Sequence, residues 1–334
     1  MEEQARAVLD PAAYDFYAAG AGDETSLAEA PGAWRTWRLL PRVLRDVSRV
    51  RTTLDLLGTP LSSPVLAAPT AFHLMADPEG EVATARGVAA AGSLLVLSSR
   101  ATRRVEEVAA AAGPWWQQIY ALRDRDATAR TAEAAAAAGA GALVLTVDAP
   151  YLGTKPRVRR PLPLPDNDLT RAVGLHTRGP GQEQDPSTGP EAIGRLHRLT
   201  GLPVLVKGVL RADDARHCVQ AGAAGVIVSN HGGRQLDRAL STAHALRAVA
   251  HEVGTEVPVL ADGGIRTGTD VLTALALGAH AVLIGRPVLW ALAVAGASGV
   301  QRLLDTCTEE LSDAMALAGV RTLSEIGPDL LTGP

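Results

Sequence analysis

From residue 64 onward, short apolar runs alternate with longer alanine-rich stretches. The runs are Pro64–Ala68, Leu94–Ser98, Trp115–Tyr120, Ala142–Val147, Pro203–Lys207, Gly225–Ser229, Val257–Ala261 and Ala281–Gly285. Each is brief and nearly continuous in hydrophobicity, the pattern of a strand covered on both faces. Between them, Glu79–Ala91, Val105–Ala112, Ala127–Ala138, Ala212–Ala221, Thr242–Val253 and Thr269–Leu277 read as helices. Strands that alternate with helices predict an α/β protein with a parallel sheet. Eight such units predict closure into a (β/α)8 TIM barrel.

The rest of the chain fits around that barrel. Residues 1–60 read as a helical N-terminal extension and connector, with Tyr14, Phe16 and Tyr17 in one helical stretch. Thr52 to Val65 reads as two short strands about Leu57-Gly58, a hairpin. The barrel is expected over 61–320, in a single domain of 1–334. One spacing stands out: 61 residues separate Thr146 from Lys207, against 20–33 between the other strand ends. The loop 151–190 is rich in Pro, Gly, Asp and Arg and reads equally as an active-site lid or as an unstructured segment.

Composition narrows the class. Apolar residues make up 47% of 334, enough for a large core. A net charge of −4 argues against a broad nucleic-acid footprint. Cys218 and Cys307 are the only cysteines, which excludes a disulfide framework and a cysteine-only zinc site. The acidic start Met1-Glu2-Glu3 does not read as a signal peptide, and no uninterrupted apolar run reaches membrane-spanning length, so the expectation is a cytoplasmic protein without membrane partners. Of 32 basic residues only Lys155 and Lys207 are lysine, which makes those two positions informative.

In a barrel of this kind chemistry gathers at the C-terminal strand ends. Every run here ends in a polar or backbone-exposing group. In order these are Thr70; Ser98 with Arg100; Gln118 with Tyr120; Thr146 with Asp148; Lys207; Ser229 with His231 and Arg234; Asp262 with Arg266; and Gly285 with Arg286. Singly, a Ser or Thr at such a place reads first as a helix cap, His231 equally as a loop histidine, and Arg234 as a surface residue. Lys207 follows the core-like run Leu202–Val206, where an amine needs an acceptor or an anion. Asp262-Gly263-Gly264 and Gly285-Arg286 close the last two strands, a common phosphate site. Glycine there allows close backbone approach, and Arg266 and Arg286 supply charge-assisted hydrogen bonds. A phosphorylated cofactor or substrate is therefore expected.

Ser229-Asn230-His231-Gly232-Gly233-Arg234-Gln235-Leu236-Asp237 resembles the signature of the FMN-dependent 2-hydroxy acid oxidases and dehydrogenases. Ala68-Pro69-Thr70-Ala71, Leu145-Thr146-Val147-Asp148, Val206-Lys207-Gly208, Asp262-Gly263-Gly264-Ile265-Arg266 and Ile284-Gly285-Arg286-Pro287 match in the same order. The resemblance runs from about Tyr14 to Gly319. It implies that Pro69, Thr70, Ala71, Ser98, Gln118, Thr146 and Ser229 hold the flavin ring and ribityl chain. Lys207 would stand at the flavin N1–C2 edge. Asp262, Gly263, Gly264, Arg266, Gly285 and Arg286 would hold the ribityl chain and phosphate. His231 would be the base, supported by Asp148, with Arg234 on the substrate carboxylate and Tyr120 hydrogen-bonded to substrate. Electrons would pass to flavin N5 and then to oxygen or another acceptor. A homotetramer is also implied.

Three positions depart from that pattern. Phe16 stands where many members have a tyrosine, exchanging a hydrogen bond for an apolar wall suited to an aromatic, mandelate-like substrate. Lys155 stands where a second arginine is usual, and reads as a substrate cation or a solvated loop lysine. Arg100 replaces a tryptophan beside the substrate pocket, and reads as an added substrate cation or a rim arginine. The loop 153–190 is shorter than in most relatives, which suggests an open pocket. Two other readings stay open: a flavin enzyme of this fold acting on a modified peptide or amine, and a non-flavin phosphate-binding barrel.

Overall fold

The computed structural model describes residues 1–163 and 183–333. Its eight apolar runs form strands β1 (Val65–Ala67), β2 (Leu95–Leu97), β3 (Trp115–Ile119), β4 (Leu143–Thr146), β5 (Val204–Val209), β6 (Gly225–Val228), β7 (Val259–Ala261) and β8 (Ala281–Ile284). All pair in parallel and close into one barrel, with β8 returning to β1 through Val282↔Val65 and Ile284↔Ala67. The strands are nearly continuous in hydrophobicity because both faces are covered.

Alternation within each strand separates two cores. Leu66, Val96, Trp116, Val144, Leu205, Ile227, Leu260 and Leu283 meet inside the barrel. Their neighbours Val65, Leu95, Trp115, Leu143, Val204, Val226, Val259 and Val282 meet the helices outside. The predicted hairpin pairs Leu54–Leu56 with Thr59–Leu61 through Leu57 and Gly58, both at positive φ, and its Leu56 and Leu61 join the inner core. A two-residue turn with both φ positive matches the twist of its strands.

Three helices form the extension: α1 (Glu2–Val8), α2 (Pro11–Ala18) and α3 (Thr25–Trp34). Asp10 caps α2 by accepting from Ala12 N at 2.7 Å, with Pro11 in the first turn. The outer helices are α4 (Glu81–Ala90), α5 (Val105–Ala111), α6 (Arg125–Ala137), α7 (Glu191–Thr200), α8 (Ala212–Gln220), α9 (Thr242–Val253), α10 (Gly268–Ala276) and α11 (Arg286–Leu317). Helix α7 falls just past the long loop, where the alternation gave no helix. Helix α11 has the length and apolar composition of a membrane span, but it breaks at Ala295 and Gly296 and buries Leu289, Leu292, Leu304 and Leu311 in the protein. Beyond the expected barrel limit, Leu331–Thr332 returns to pair with Arg38–Leu39. Residues 164–182 lie outside the described residues, and with them the lid and open-pocket expectations.

Candidate active site

The period of two that builds the inner core also builds the site. On seven strands an expected mouth residue stands two residues beyond the inward apolar position: Ser98, Gln118, Thr146, Lys207, Ser229, Asp262 and Gly285. On β1 that position is Ala68, and the expected Thr70 lies two residues further on. Side chains two apart share a strand face. Gln118 and Lys207 lie within their strands, Thr146 ends its own, and Ser98, Ser229, Asp262 and Gly285 follow theirs by one residue. Pro69, Thr70 and Ala71 form the loop after β1.

At the centre, Lys207 Nζ lies 2.9 Å from Asp262 Oδ2 and donates to Ser229 Oγ at 2.8 Å. All three are buried. Burial alone would lower the lysine pKa, but Asp262 and then Asp148 outweigh it and raise it. Strand β5 shifts register between Lys207 and Val209, and Gly208 sits at φ 108. A Cβ on Gly208 would stand 2.5 Å from Asp148 Cβ, so only glycine lets the loop after β4 approach β5 this closely.

That approach places Asp148 Oδ1 2.9 Å from His231 Nδ1. His231 sits at φ 58, a left-handed conformation strained for a residue with a side chain, and its N–H donates to Ser229 Oγ at 3.0 Å. The other ring nitrogen, Nε2, faces the Tyr120 hydroxyl at 3.4 Å. Burial would raise the Asp148 pKa, but His231 and then Lys207 bring it below the ordinary value. Tyr120 is pushed up by burial, then by Asp148.

Cations dominate the rim. Arg234 Nη1 donates to the carbonyls of Phe16, Tyr17 and Ala19, at 2.9, 3.3 and 2.7 Å. Arg286 donates to Tyr17, Gly232 and Ala19, at 3.0, 2.9 and 3.0 Å. Two guanidiniums therefore meet the carbonyl end of α2, where a helix favours positive charge. Among the described residues neither has a carboxylate partner, nor has Arg266, whose Nη1 donates to Ile265 O. Burial holds Arg234 down to about 10. Burial, then Arg234 and Arg266, hold Arg286 down to about 9. Lys155, on the loop after β4, donates to Gly153 O at 2.8 Å, and burial followed by Arg234 lowers it to about 8. Phe16 reaches the mouth from α2, its ring 5.1 Å from the Arg234 guanidinium and 5.3 Å from Phe72. Arg100, after β2, is an electrostatic neighbour of Tyr120.

Several contributors had no chemical signal in the sequence. Asp237 accepts from the N–H groups of Asp23, Thr25 and Ser26, capping α3. Gln235 Oε1 accepts from Gly153 N at 2.7 Å and anchors the Lys155 loop. Gly264, expected to admit a ligand, also lets α3 come close: a Cβ there would stand 2.3 Å from Ala30 O. In the sequence, Gln235 and Asp237 were marked only by their place at the end of the Ser229–Asp237 signature, which gave them no role.

Polar atoms without partners test the fit of a flavin nucleotide. Gln118 Oε1 accepts from Ser99 N, while Gln118 Nε2 and Thr146 Oγ1 are buried with no partner among the described residues. Such groups on adjacent strands suit the polar edge of a flat ring. Lys207 suits an edge that gains negative charge, and three guanidiniums without carboxylates suit a phosphate and a carboxylate. The residues fit FMN.

Residues 5–333 match the FMN-dependent dehydrogenase family. The chain is 43% identical to L-lactate oxidase of Nostoc sp., covering 99% of this chain and 96% of that one. It is 44% identical to glycolate oxidase of Spinacia oleracea, covering 97% and 92%. A solved structure of mandelate oxidase with (S)-4-hydroxymandelic acid superposes with a TM-score of 0.92 at 40% identity, covering 99% and 96%. The chain thus belongs to the FMN-dependent dehydrogenase family and is an FMN-dependent oxidoreductase of 2-hydroxy acids.

Proposed function

We propose that this enzyme oxidises an aromatic, mandelate-like 2-hydroxy acid to the 2-oxo acid, with oxygen as the final acceptor. The observation that carries the chemistry is the Asp148–His231 pair beside buried Lys207. With Asp148 on Nδ1, His231 presents Nε2 to the mouth and takes the substrate proton there; the carboxylate stabilises the imidazolium that results. Arg234 and Lys155 bind the substrate carboxylate, and Tyr120 hydrogen-bonds the substrate beside His231. When bound, FMN supplies the two-electron acceptor. Pro69, Thr70, Ala71, Ser98, Gln118, Thr146, Lys207 and Ser229 would hold its ring and ribityl chain. Asp262, Gly263, Gly264, Arg266, Gly285 and Arg286 would hold its ribityl chain and phosphate.

Phe16, backed by Phe72, supports an aromatic substrate, because it replaces a polar contact with an aryl-sized wall. Arg100 adds a cation beside Tyr120 suited to an acidic substituent. The relatives named oxidases support oxygen as acceptor. Exposed Leu40, Val43 and Leu44 support an oligomer, and two free cysteines fit a reducing cytoplasm. The family match sets aside the non-flavin barrel.

Anaerobic mixing with glycolate, lactate, mandelate and 4-hydroxymandelate, followed at 450 nm, tests the reading. Faster bleaching by the mandelates, reversed by air, is expected. Bleaching by lactate or glycolate alone overturns the aromatic assignment, and a yellow protein that none of them bleaches points to an amine or modified peptide.

A further inference from the structure

Behind the loop after β1 lies a buried polar chain that the chemistry above does not use. Glu81, the first residue of α4, accepts from His73 N at 3.0 Å and Thr102 N at 2.9 Å. The Thr102 hydroxyl donates to the same carboxylate at 2.8 Å and accepts from Leu74 N at 3.1 Å. One carboxylate thus ties the loop after β1 to the loop after β2. It also fixes the main chain of His73 next to Phe72, which is held in the left-handed region at φ 66.

The His73 ring is buried and has a hydroxyl at each nitrogen. Nδ1 lies 2.8 Å from Thr84 Oγ1, and Nε2 lies 2.7 Å from Thr70 Oγ1. Burial favours the neutral ring, which has one N–H and one lone pair. The two threonines must therefore play opposite parts. Thr84 is fully buried, and His73 is its hydroxyl's sole partner among the described residues. If Thr84 accepted from Nδ1–H, its own proton would be buried with no acceptor, at the full desolvation cost of that group. The favourable arrangement has Thr84 O–H donating into Nδ1 and the ring proton on Nε2, donating to Thr70 Oγ1. The Thr70 hydroxyl proton is then left for the mouth. Thr70 borders that mouth, for its Cγ2 lies 3.7 Å from where a Cβ on Gly285 would stand.

We propose that His73 is a positioning residue that fixes the Thr70 hydroxyl as a hydrogen-bond donor into the barrel mouth. The acceptor is an oxygen or nitrogen of the flavin ring that gains electron density on reduction, so this part rests on the FMN assignment above. A fixed donor there favours the reduced ring, acting with Lys207.

The test has two arms on the FMN-loaded protein. Nitrogen-15 NMR of labelled histidine, with His73 assigned by its loss in His73→Gln, should show the Nε2–H tautomer. A Nδ1–H or doubly protonated ring overturns the proposal. Spectroelectrochemical titration reads the second arm. Thr70→Val and His73→Leu should each make flavin reduction roughly tenfold less favourable, the loss of about one hydrogen bond. His73→Gln should keep the parent value, because its amide can accept from Thr84 and donate to Thr70. Equal behaviour of His73→Gln and His73→Leu, with FMN retained in both, overturns the proposal. If the parent protein takes up no FMN, the cofactor assignment fails, and the tautomer still decides the His73 arrangement.

Discussion

The lower and upper halves of the barrel interior obey the same alternation and reach opposite results. Below, Leu66, Trp116, Leu205, Ile227 and Leu260 are wholly buried against one another and the hairpin. Above them, at the mouth, Gln118 Nε2, Thr146 Oγ1, Asp148 Oδ2 and Asp262 Oδ1 are buried with no partner among the described residues. The lower layer is satisfied by itself. The upper layer carries a cost that a ligand would remove, as expected where binding or catalysis is built into a stable frame.

Substitutions above and below this division should therefore separate activity from stability. The largest effect is expected at His231. His231→Ala should lower kcat/KM for the best 2-hydroxy acid by about 10²–10⁴-fold with little change in Tm, since a general base contributes about that much. A loss under fivefold would remove it from the base role. Leu260→Ala should do the reverse, costing about 2–5 kcal/mol in denaturant unfolding while kcat of the folded enzyme stays within about twofold. A matching fall in kcat would show that the two layers are not independent.

Thr146→Val sharpens the contrast at one position. It removes a buried hydroxyl without a partner among the described residues, so the apoprotein should gain up to about 1 kcal/mol while FMN binds about tenfold more weakly. Calorimetry and FMN titration read both signs, and a destabilised apoprotein would mean that Thr146 has a structural partner. The smallest effect is expected at Lys155. Its value near 8 means the ammonium is present below about pH 8 and is lost as pH rises through it. KM for a carboxylate substrate should rise several-fold between about pH 7 and pH 9, and Lys155→Arg should flatten that limb. An unchanged limb in the arginine variant would place Lys155 outside the substrate site.

Much of this was legible in the chain because strand periodicity is local. An apolar residue followed two positions later by a polar one, as in Leu205 and Lys207 or Ile227 and Ser229, marks both an inward face and its mouth end. The same local reading placed the Leu57-Gly58 turn. It did not find α7, whose amphipathic run follows an irregular loop, nor the return of Leu331–Thr332 to Arg38–Leu39 across nearly the whole chain.

By itself, then, the sequence determined the barrel, the order of its mouth residues and the family, because these depend on spacing along single strands. Only the tertiary structure decided who meets whom. Asp148 reaches His231 because Gly208 lets two loops approach, Arg234 and Arg286 converge because α2 ends over the mouth, and Asp237 serves α3 rather than a ligand. Each joins residues distant in the chain. Such contacts depend on loop closure and packing around the barrel, which no local pattern records.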